Sequence, residues 1–191
     1  KPLIQYHVEN LVAAGIDQLV INHAHLGGQI EDFLEDGSRF GARIRYSRET
    51  EALETGGGIF NALPLLGSAP FVVINADVWS DFPLKSLKQS KCQGAHLILV
   101  DNPGHNEQGD FNLLQGTIYS EPKNGSQRLT FSGMSVLSPE LFNDCKPGFF
   151  ALLPVLQRAI EQGQVTGEYY RGSWFDVGTP QRLPSLEPYL D

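Results

Sequence analysis

The order of apolar runs predicts an α/β domain with a mostly parallel central sheet and an inserted antiparallel hairpin region. Three observations carry that expectation. Strand-like and helix-like runs alternate from the start of the chain to about residue 100. Residues 104–137 turn Gly- and Asn-rich, with short extended runs. The tail then returns to helical spacing around an extended stretch at 174–177.

Leu3, Ile4, Val8, Leu11 and Val12 recur at helical spacing, with Pro2 suited to a first turn and Gly15 to a C-terminal cap. Residues 16–22 read as a strand, 28–35 as a helix ending in Asp36-Gly37-Ser38, and 43–47 as a short alternating strand. Gly56-Gly57-Gly58 reads as a turn leading into a helix through Leu66, and 70–75 as a fully buried strand. A helix over 84–89 precedes a strand over 95–100. The hairpin region holds extended runs at 111–114, 117–120 and 128–137, and helices are expected near 150–162 and 180–190. No repeat or low-complexity tract divides the chain, so one domain over residues 1–191 is the simplest organisation.

Composition narrows the function classes. With 41% hydrophobic and 19% charged residues, the chain has the balance of a globular domain and not of a disordered or fibrous one. Its longest apolar runs are far too short for a bilayer span, so no membrane partner is expected. Two cysteines, Cys92 and Cys145, make neither a disulfide framework nor a zinc knuckle, and a reducing cytoplasm is the default. A net charge of −8 argues against nucleic acid, and it requires a cation to mediate contact with any phosphorylated substrate.

Asp77, in Val72-Val73-Ile74-Asn75-Ala76-Asp77, falls just past the end of an apolar strand, where open α/β sheets bind ligands. A hard oxygen there suits Mg²⁺, while the competing reading is a turn or helix N-cap aspartate. Asp176, in Trp174-Phe175-Asp176-Val177-Gly178-Thr179-Pro180, ends another extended run. Thr179-Pro180 is also a well-formed helix start, which is the bland alternative. Together the two carboxylates could share one Mg²⁺, which would relieve their mutual repulsion. Glu54-Thr55 followed by three glycines allows backbone N–H groups close approach to a ligand at a helix N-terminus, although a plain flexible turn is the commoner explanation. His23 and His25 lack a third ligand at suitable spacing, and Arg39, Arg43, Arg45 and Arg48 alternate like a solvated strand face. Neither a Walker loop nor a Gly-x-Gly-x-x-Gly fingerprint is present, which disfavours a nicotinamide-dependent oxidoreductase.

Read in order, these segments resemble the sugar-phosphate nucleotidyltransferase family, and within it the bacterial N-acetylmuramate-1-phosphate uridylyltransferases. The stretches that carry the resemblance are Pro2 to His7, Val20 to Gly41, Leu53 to Ile59, Asn75 to Trp79, Leu99 to Pro103, Phe131-Ser132-Gly133 and Trp174 to Thr179. It implies a Rossmann-like domain in which Asp77 and Asp176 hold Mg²⁺ and serve catalysis. It implies nucleotide binding by Glu54, Gly56, Gly57 and Asn75, a sugar pocket lined by Gly109 and Gly133, and Asn22 and His23 near the nucleotide. The implied substrates are UTP and N-acetylmuramic acid 1-phosphate, with GTP and mannose 1-phosphate as the alternative pair. A non-catalytic sugar-nucleotide sensor on the same fold is the alternative from another class, and it would need no carboxylate pair. The family's opening strand and Gly-rich basic loop have no match in these residues, so unpaired strand edges are expected. Ser120-Glu121-Pro122-Lys123 offers no clean match to a Glu-Lys-Pro, and no catalytic lysine is assigned there.

Overall fold

The computed structural model describes residues 1–89, 92–179 and 181–189. In chain order the elements are α1 (Leu3–Ala13), β1 (Gln18–His23), α2 (Gly27–Leu34), β2 (Arg43–Arg48), α3 (Glu54–Leu66), β3 (Phe71–Ile74), β4 (Val78–Ser80), α4 (Lys85–Gln89), β5 (Ala95–Val100), β6 (Phe111–Leu114), β7 (Thr117–Tyr119), β8 (Gln127–Leu137), α5 (Leu153–Glu161), β9 (Val165–Tyr169) and β10 (Trp174–Asp176), with three short 3₁₀ turns besides. The α/β class and the inserted hairpin both stand. β1 pairs β2 in parallel, and β5 pairs β9 in parallel. Direct pairing elsewhere is antiparallel, because the long β8 returns between β3 and β5.

β5 shows why an unbroken apolar run marks a central strand. Leu97 and Leu99 point into the largest core cluster, with Phe111, Ile118, Leu129, Leu156 and Val165, whereas Ile98 joins Phe82, Leu87, Met134 and Val136 on the opposite face. Both faces are covered, so alternation disappears from the sequence. The strand at 70–75 is a correction. β3 is only partly buried along its whole length. It bonds β8 on one edge, while its other edge faces an open cleft.

A second, smaller unit consists of β1 and β2 with α1 and α2, around Val8, Leu19, Leu34, Ala42 and Ile44. No pairing joins β1 to β3 among the described residues, so the two sheets meet across the cleft with the expected unpaired edges. α3 bridges them: Ile59 lies in the main core, and Asn61 donates to the Ser47 hydroxyl of β2 at 3.0 Å. The Gly15 cap of α1 forms as expected, with φ +80° and the Gly15 and Ile16 amides turned back on Val12 and Leu11.

Two strands escaped the pattern reading. β4 is three residues long, and in β9 Gly167 interrupts the apolar alternation, since a Cβ there would meet Ile118 and the Leu97 carbonyl. The helix expected over 180–190 is a 3₁₀ turn at Leu183–Tyr189, while Pro180 and the last two residues lie outside the described residues.

Candidate active site

β3 ends at Ile74, and the chain turns through Ala76 and Asp77 into β4, closed by the Val78 amide on the Asn75 carbonyl at 3.2 Å. β4 pairs antiparallel with β10, placing Val78 opposite Asp176. The Val177 amide donates to the Asp77 carbonyl at 2.8 Å. Two aspartates separated by almost a hundred residues are thereby brought to one end of this strand pair. Gly178 lies between them: a Cβ on it would fall 2.9 Å from Asp77 Oδ2 and 3.1 Å from Asp176 Oδ1. The absent side chain leaves a cradle onto which both carboxylates open.

The two carboxylates differ in their surroundings. Asp77 is exposed, and its carboxylate has no hydrogen-bond or ion-pair partner among the described residues. Asp176 Oδ1 accepts the Gly178 amide at 2.9 Å, and its Oδ2 meets Arg182 Nη1 at 2.8 Å and His105 Nε2 at 3.0 Å. Burial pushes the Asp176 carboxyl upward, but the Gly178 amide, Arg182 and His105 together hold it below its ordinary value. Two carboxylates opening onto one such cradle suit a cation between them. The donor set fits a hard divalent ion that takes one or two carboxylates and completes its shell with substrate phosphates. It is not a complete protein cage, since no cluster of three His, Cys, Asp or Glu ligands exists among the described residues.

Asp77 lies on the rim of the inter-sheet cleft, about 920 Å³ in volume, which is also lined by His7, Asn22, Glu54, Thr55 and Asn75. Asp176 lies in a second pocket of about 330 Å³, with Asn102, His105, Tyr170, Trp174 and Arg182. Both volumes suit small-molecule ligands. The acid pair stands where the two cavities meet.

The glycines act differently from the expectation. Gly56, Gly57 and Gly58 lie inside the first turns of α3 and not in a turn before it, and all three are buried. A Cβ on Gly57 would come within 2.2 Å of the Gly148 carbonyl, and one on Gly56 within 2.7 Å of the Ala151 carbonyl. They let the 148–151 segment pack against α3, an arrangement closed by the Gly57 amide on Phe150 at 2.9 Å and the Phe150 amide on Leu53 at 3.1 Å. Leu53, Glu54 and Thr55, just before the glycines, line the cleft instead. Glu54 adopts φ +61°, a costly conformation for a residue with a side chain, held at the cleft lip by that clamp.

Gly133, at φ +80°, backs Asn75: a Cβ would meet the asparagine side chain at 2.9 Å, and the Asn75 amide donates to the Gly133 carbonyl at 2.9 Å. Gly109, at φ +64°, backs Asn102 in the same manner, at 2.6 Å. Neither glycine lines a cavity itself, and each makes room for an asparagine that does.

Asn22 lines the cleft with its amide held by Glu49 Oε1 at 2.9 Å, and Glu49 also accepts the Leu53 amide at 3.0 Å. His23 does not share that position. Its ring packs under Gly27 and meets Glu31 at 2.7 Å. Glu31 also takes Arg48, so this arginine is ion-paired and not merely solvated. His7, His105 and Arg182 also line the two cavities, and the sequence reading gave none of them a role. His105 sits in a polar loop and Arg182 beyond the last motif, so no spacing signalled either. Burial keeps the His7 imidazole below its ordinary range, although the backbone of Ala76 and Val78 and the charge of Asp77 favour the proton.

A mixed α/β sheet with a ligand-sized cleft between strand edges and a carboxylate pair on its rim is the architecture of an enzyme that binds small molecules. Comparison makes the class particular. Residues 1–110 match the family described as nucleotidyl transferase. The chain is 47% identical to an N-acetylmuramate alpha-1-phosphate uridylyltransferase of Neisseria meningitidis serogroup B, over 98% of this chain and 84% of the relative. It is 31% identical to the protein of that name from Caulobacter vibrioides, over 100% and 84%. A crystal structure of UDP-glucose pyrophosphorylase complexed with UDP-glucose superposes with a TM-score of 0.76 at 21% identity, covering 99% of this chain and 86% of that one. The chain belongs to the nucleotidyl transferase family, and it is a sugar-1-phosphate nucleotidyltransferase.

Proposed function

We propose that this enzyme joins UTP to N-acetylmuramic acid 1-phosphate, giving UDP-N-acetylmuramic acid and pyrophosphate, in the cytoplasmic recycling of cell-wall sugars. The observation that carries the reading is the carboxylate pair at the junction of two cavities. A nucleoside triphosphate fits the larger cleft and a sugar the smaller pocket, so that their phosphates meet beside Asp77 and Asp176. The substrate choice follows the relatives that match over most of their length. No helix among the described residues is long and apolar enough to cross a membrane, which suits that setting.

A phosphate oxygen of the sugar 1-phosphate attacks the α-phosphorus of UTP in line. The new oxygen–phosphorus bond forms as the bond to the bridging oxygen of the β-phosphate breaks, and pyrophosphate leaves with that electron pair. The nucleophile is already an anion, so no side chain need take a proton. What remains for the protein is to hold two repelling anions together and offset the charge that develops. Asp77 and Asp176 would hold Mg²⁺, which when bound supplies that positive charge to the phosphate oxygens. Glu54 and Thr55 line the cleft where a base can lie, and Asn22, held by Glu49, and Asn75 supply amides on its two walls. In the pocket, Trp174 is fixed by its Nε1 donating to the Ser132 carbonyl at 2.9 Å and offers an apolar wall.

Pyrophosphate release, measured with UTP, GTP and dTTP each crossed with muramic, glucosamine, glucose and mannose 1-phosphates, tests the proposal. UTP with N-acetylmuramic acid 1-phosphate should exceed every other pair. A preference for GTP and mannose 1-phosphate would replace the substrates and leave the reaction standing. Binding without release for any pair would favour a sensor.

A further inference from the structure

We propose that Asn22, held in one orientation by Glu49, reads the base edge of the nucleotide and so separates UTP from CTP. This rests on the uridylyl transfer proposed above and adds to it a specificity residue and the residue that positions it.

Glu49 extends the β1–β2 ladder, its amide donating to the His23 carbonyl at 2.9 Å. Its carboxylate then spans two elements. Oε1 accepts Asn22 Nδ2 at 2.9 Å, and Oε2 accepts the Leu53 amide at 3.0 Å. A carboxylate receives hydrogen bonds, so the nitrogen of Asn22 and not its oxygen turns toward it. One N–H of the Asn22 amide is thereby used, and its carbonyl oxygen has no hydrogen-bond partner among the described residues. Gly58 leaves room for the pair: a Cβ there would fall 2.6 Å from Asn22 Nδ2 and 2.8 Å from Glu49 Oε1.

Charge decides which part of a nucleotide lies here. Asn22, Glu49 and Glu54 all line the cleft. Carboxylates repel a triphosphate, whose charge is drawn instead to a cation at Asp77 on the side of the larger sheet. The uncharged part of the nucleotide is left to face Asn22. A ribose hydroxyl both donates and accepts, so a fixed amide orientation would gain nothing from it. A base edge tells the two apart.

Uracil presents an acceptor at ring position 4 and an N–H donor at position 3. The second N–H and the oxygen of Asn22 match that order. Cytosine reverses it, with a donor at position 4 and an acceptor at position 3, and only a flipped amide fits. An asparagine free to flip would accept both bases. Glu49 forbids the flip, because it would set the Asn22 oxygen against a carboxylate oxygen.

The test measures kcat/KM for UTP and CTP by pyrophosphate release, and calorimetric binding of both, in the unmodified enzyme, Asn22→Ala, Glu49→Gln and the double variant. The unmodified enzyme should favour UTP by about a hundredfold. Asn22→Ala should cut that preference about tenfold, chiefly by weakening UTP. Glu49→Gln should cut it several-fold, chiefly by admitting CTP, since a glutamine amide can donate to the flipped Asn22 oxygen. The double variant should match Asn22→Ala, because Glu49 acts through Asn22. Weakening the Leu53 contact lowers the melting temperature of Glu49→Gln in any case, but a merely structural role leaves the UTP-to-CTP ratio unmoved. An unchanged ratio in Asn22→Ala would overturn the proposal, and one unchanged in Glu49→Gln alone would overturn the role given to Glu49. Should Glu49→Gln not fold, Asn22→Ala decides, since Asn22 is exposed. An unmodified enzyme that prefers GTP would sink the substrate reading and this proposal together, whereas an unmoved ratio in a UTP-preferring enzyme sinks this proposal alone. If no pair releases pyrophosphate, the ratio of UTP to CTP binding decides by the same criteria.

Discussion

The six-stranded sheet and the β1–β2 sheet of this molecule are held by different means. The six-stranded sheet is covered on both faces, and its central strand β5 is almost wholly inaccessible to solvent. The β1–β2 unit has one modest apolar cluster, and its periphery is tied by polar contacts, chiefly His23 and Arg48 on Glu31. The ligand cleft runs between them, so its walls rest on unequal supports. Asp77, Gly178, Asp176 and Asn75 belong to the side of the larger sheet and its hairpin, and Asn22 with Glu49 to the smaller. The lesson is a division of labour: chemistry is placed on the firmly packed body, and the lighter unit supplies a wall.

That contrast can be broken at its strongest point first. Asp77→Asn or Asp176→Asn should lower turnover by roughly two to three orders of magnitude through lost electrostatic preorganisation. The melting temperature should move little, because both residues lie at a hairpin end outside the core clusters. Near-normal pyrophosphate release from either variant would remove the pair from the chemistry.

Gly178→Ala is the next in size and the most selective. No unusual backbone angle protects this glycine, so the substitution acts through the methyl group alone, lodged about 3 Å from both carboxylate oxygens. Activity should fall by about tenfold with unchanged unfolding, through misplacement of charged groups by a fraction of an ångström. Raised Mg²⁺ should recover part of the loss, and a Mg²⁺ dependence identical to that of the unmodified enzyme would argue against a shared metal.

Gly133→Ala should act on the cleft alone. It places a methyl group against the Asn75 side chain on a backbone with φ +80°, so KM for the nucleotide should rise several-fold while KM for the sugar 1-phosphate holds. Equal effects on both would mean that the strain spreads through β8.

The smallest effect concerns the lighter unit. Arg48 foremost, with His23 assisting and slight burial opposing, holds the Glu31 carboxyl at about 2 against an ordinary 4.5. A carboxyl lowered in the folded state stabilises fully above its unfolded value, and that contribution fades as the pH falls toward the folded one. Glu31→Gln should therefore lower the unfolding midpoint by no more than a few degrees at pH 7, given the exposure of the pair. The gap to the unmodified protein should narrow on acidification below about 4.5. A gap constant down to pH 3 would show that the ion pair contributes nothing.

Strong local signals explain what the sequence made legible. Asp77 and Asp176 could be singled out because each follows an apolar extended run, and the order of the elements brought out the α/β class. Their meeting could not be read from spacing, since it depends on β4, a three-residue strand with no pattern of its own. The triple glycine misled for a physical reason: glycine serves close packing of protein backbone as readily as close approach of a ligand, and here Gly148 and Ala151 occupy the space. Gly109 and Gly133 carry the same message, since each accommodates an asparagine at a cavity wall. His105 and Arg182 sit in stretches of ordinary polar composition, and only the fold brings both onto Asp176.

The central claim is that Asp77 and Asp176 act as one unit between two substrates, and a double-mutant cycle on pyrophosphate release tests it most directly. Turnover of Asp77→Asn, Asp176→Asn and the double variant is compared under saturating nucleotide and sugar 1-phosphate. If the two carboxylates share one function, removing the second costs little once the first is gone, and the double variant should fall within about threefold of the slower single one. Losses that multiply across the cycle would show two independent carboxylates and contradict the claim.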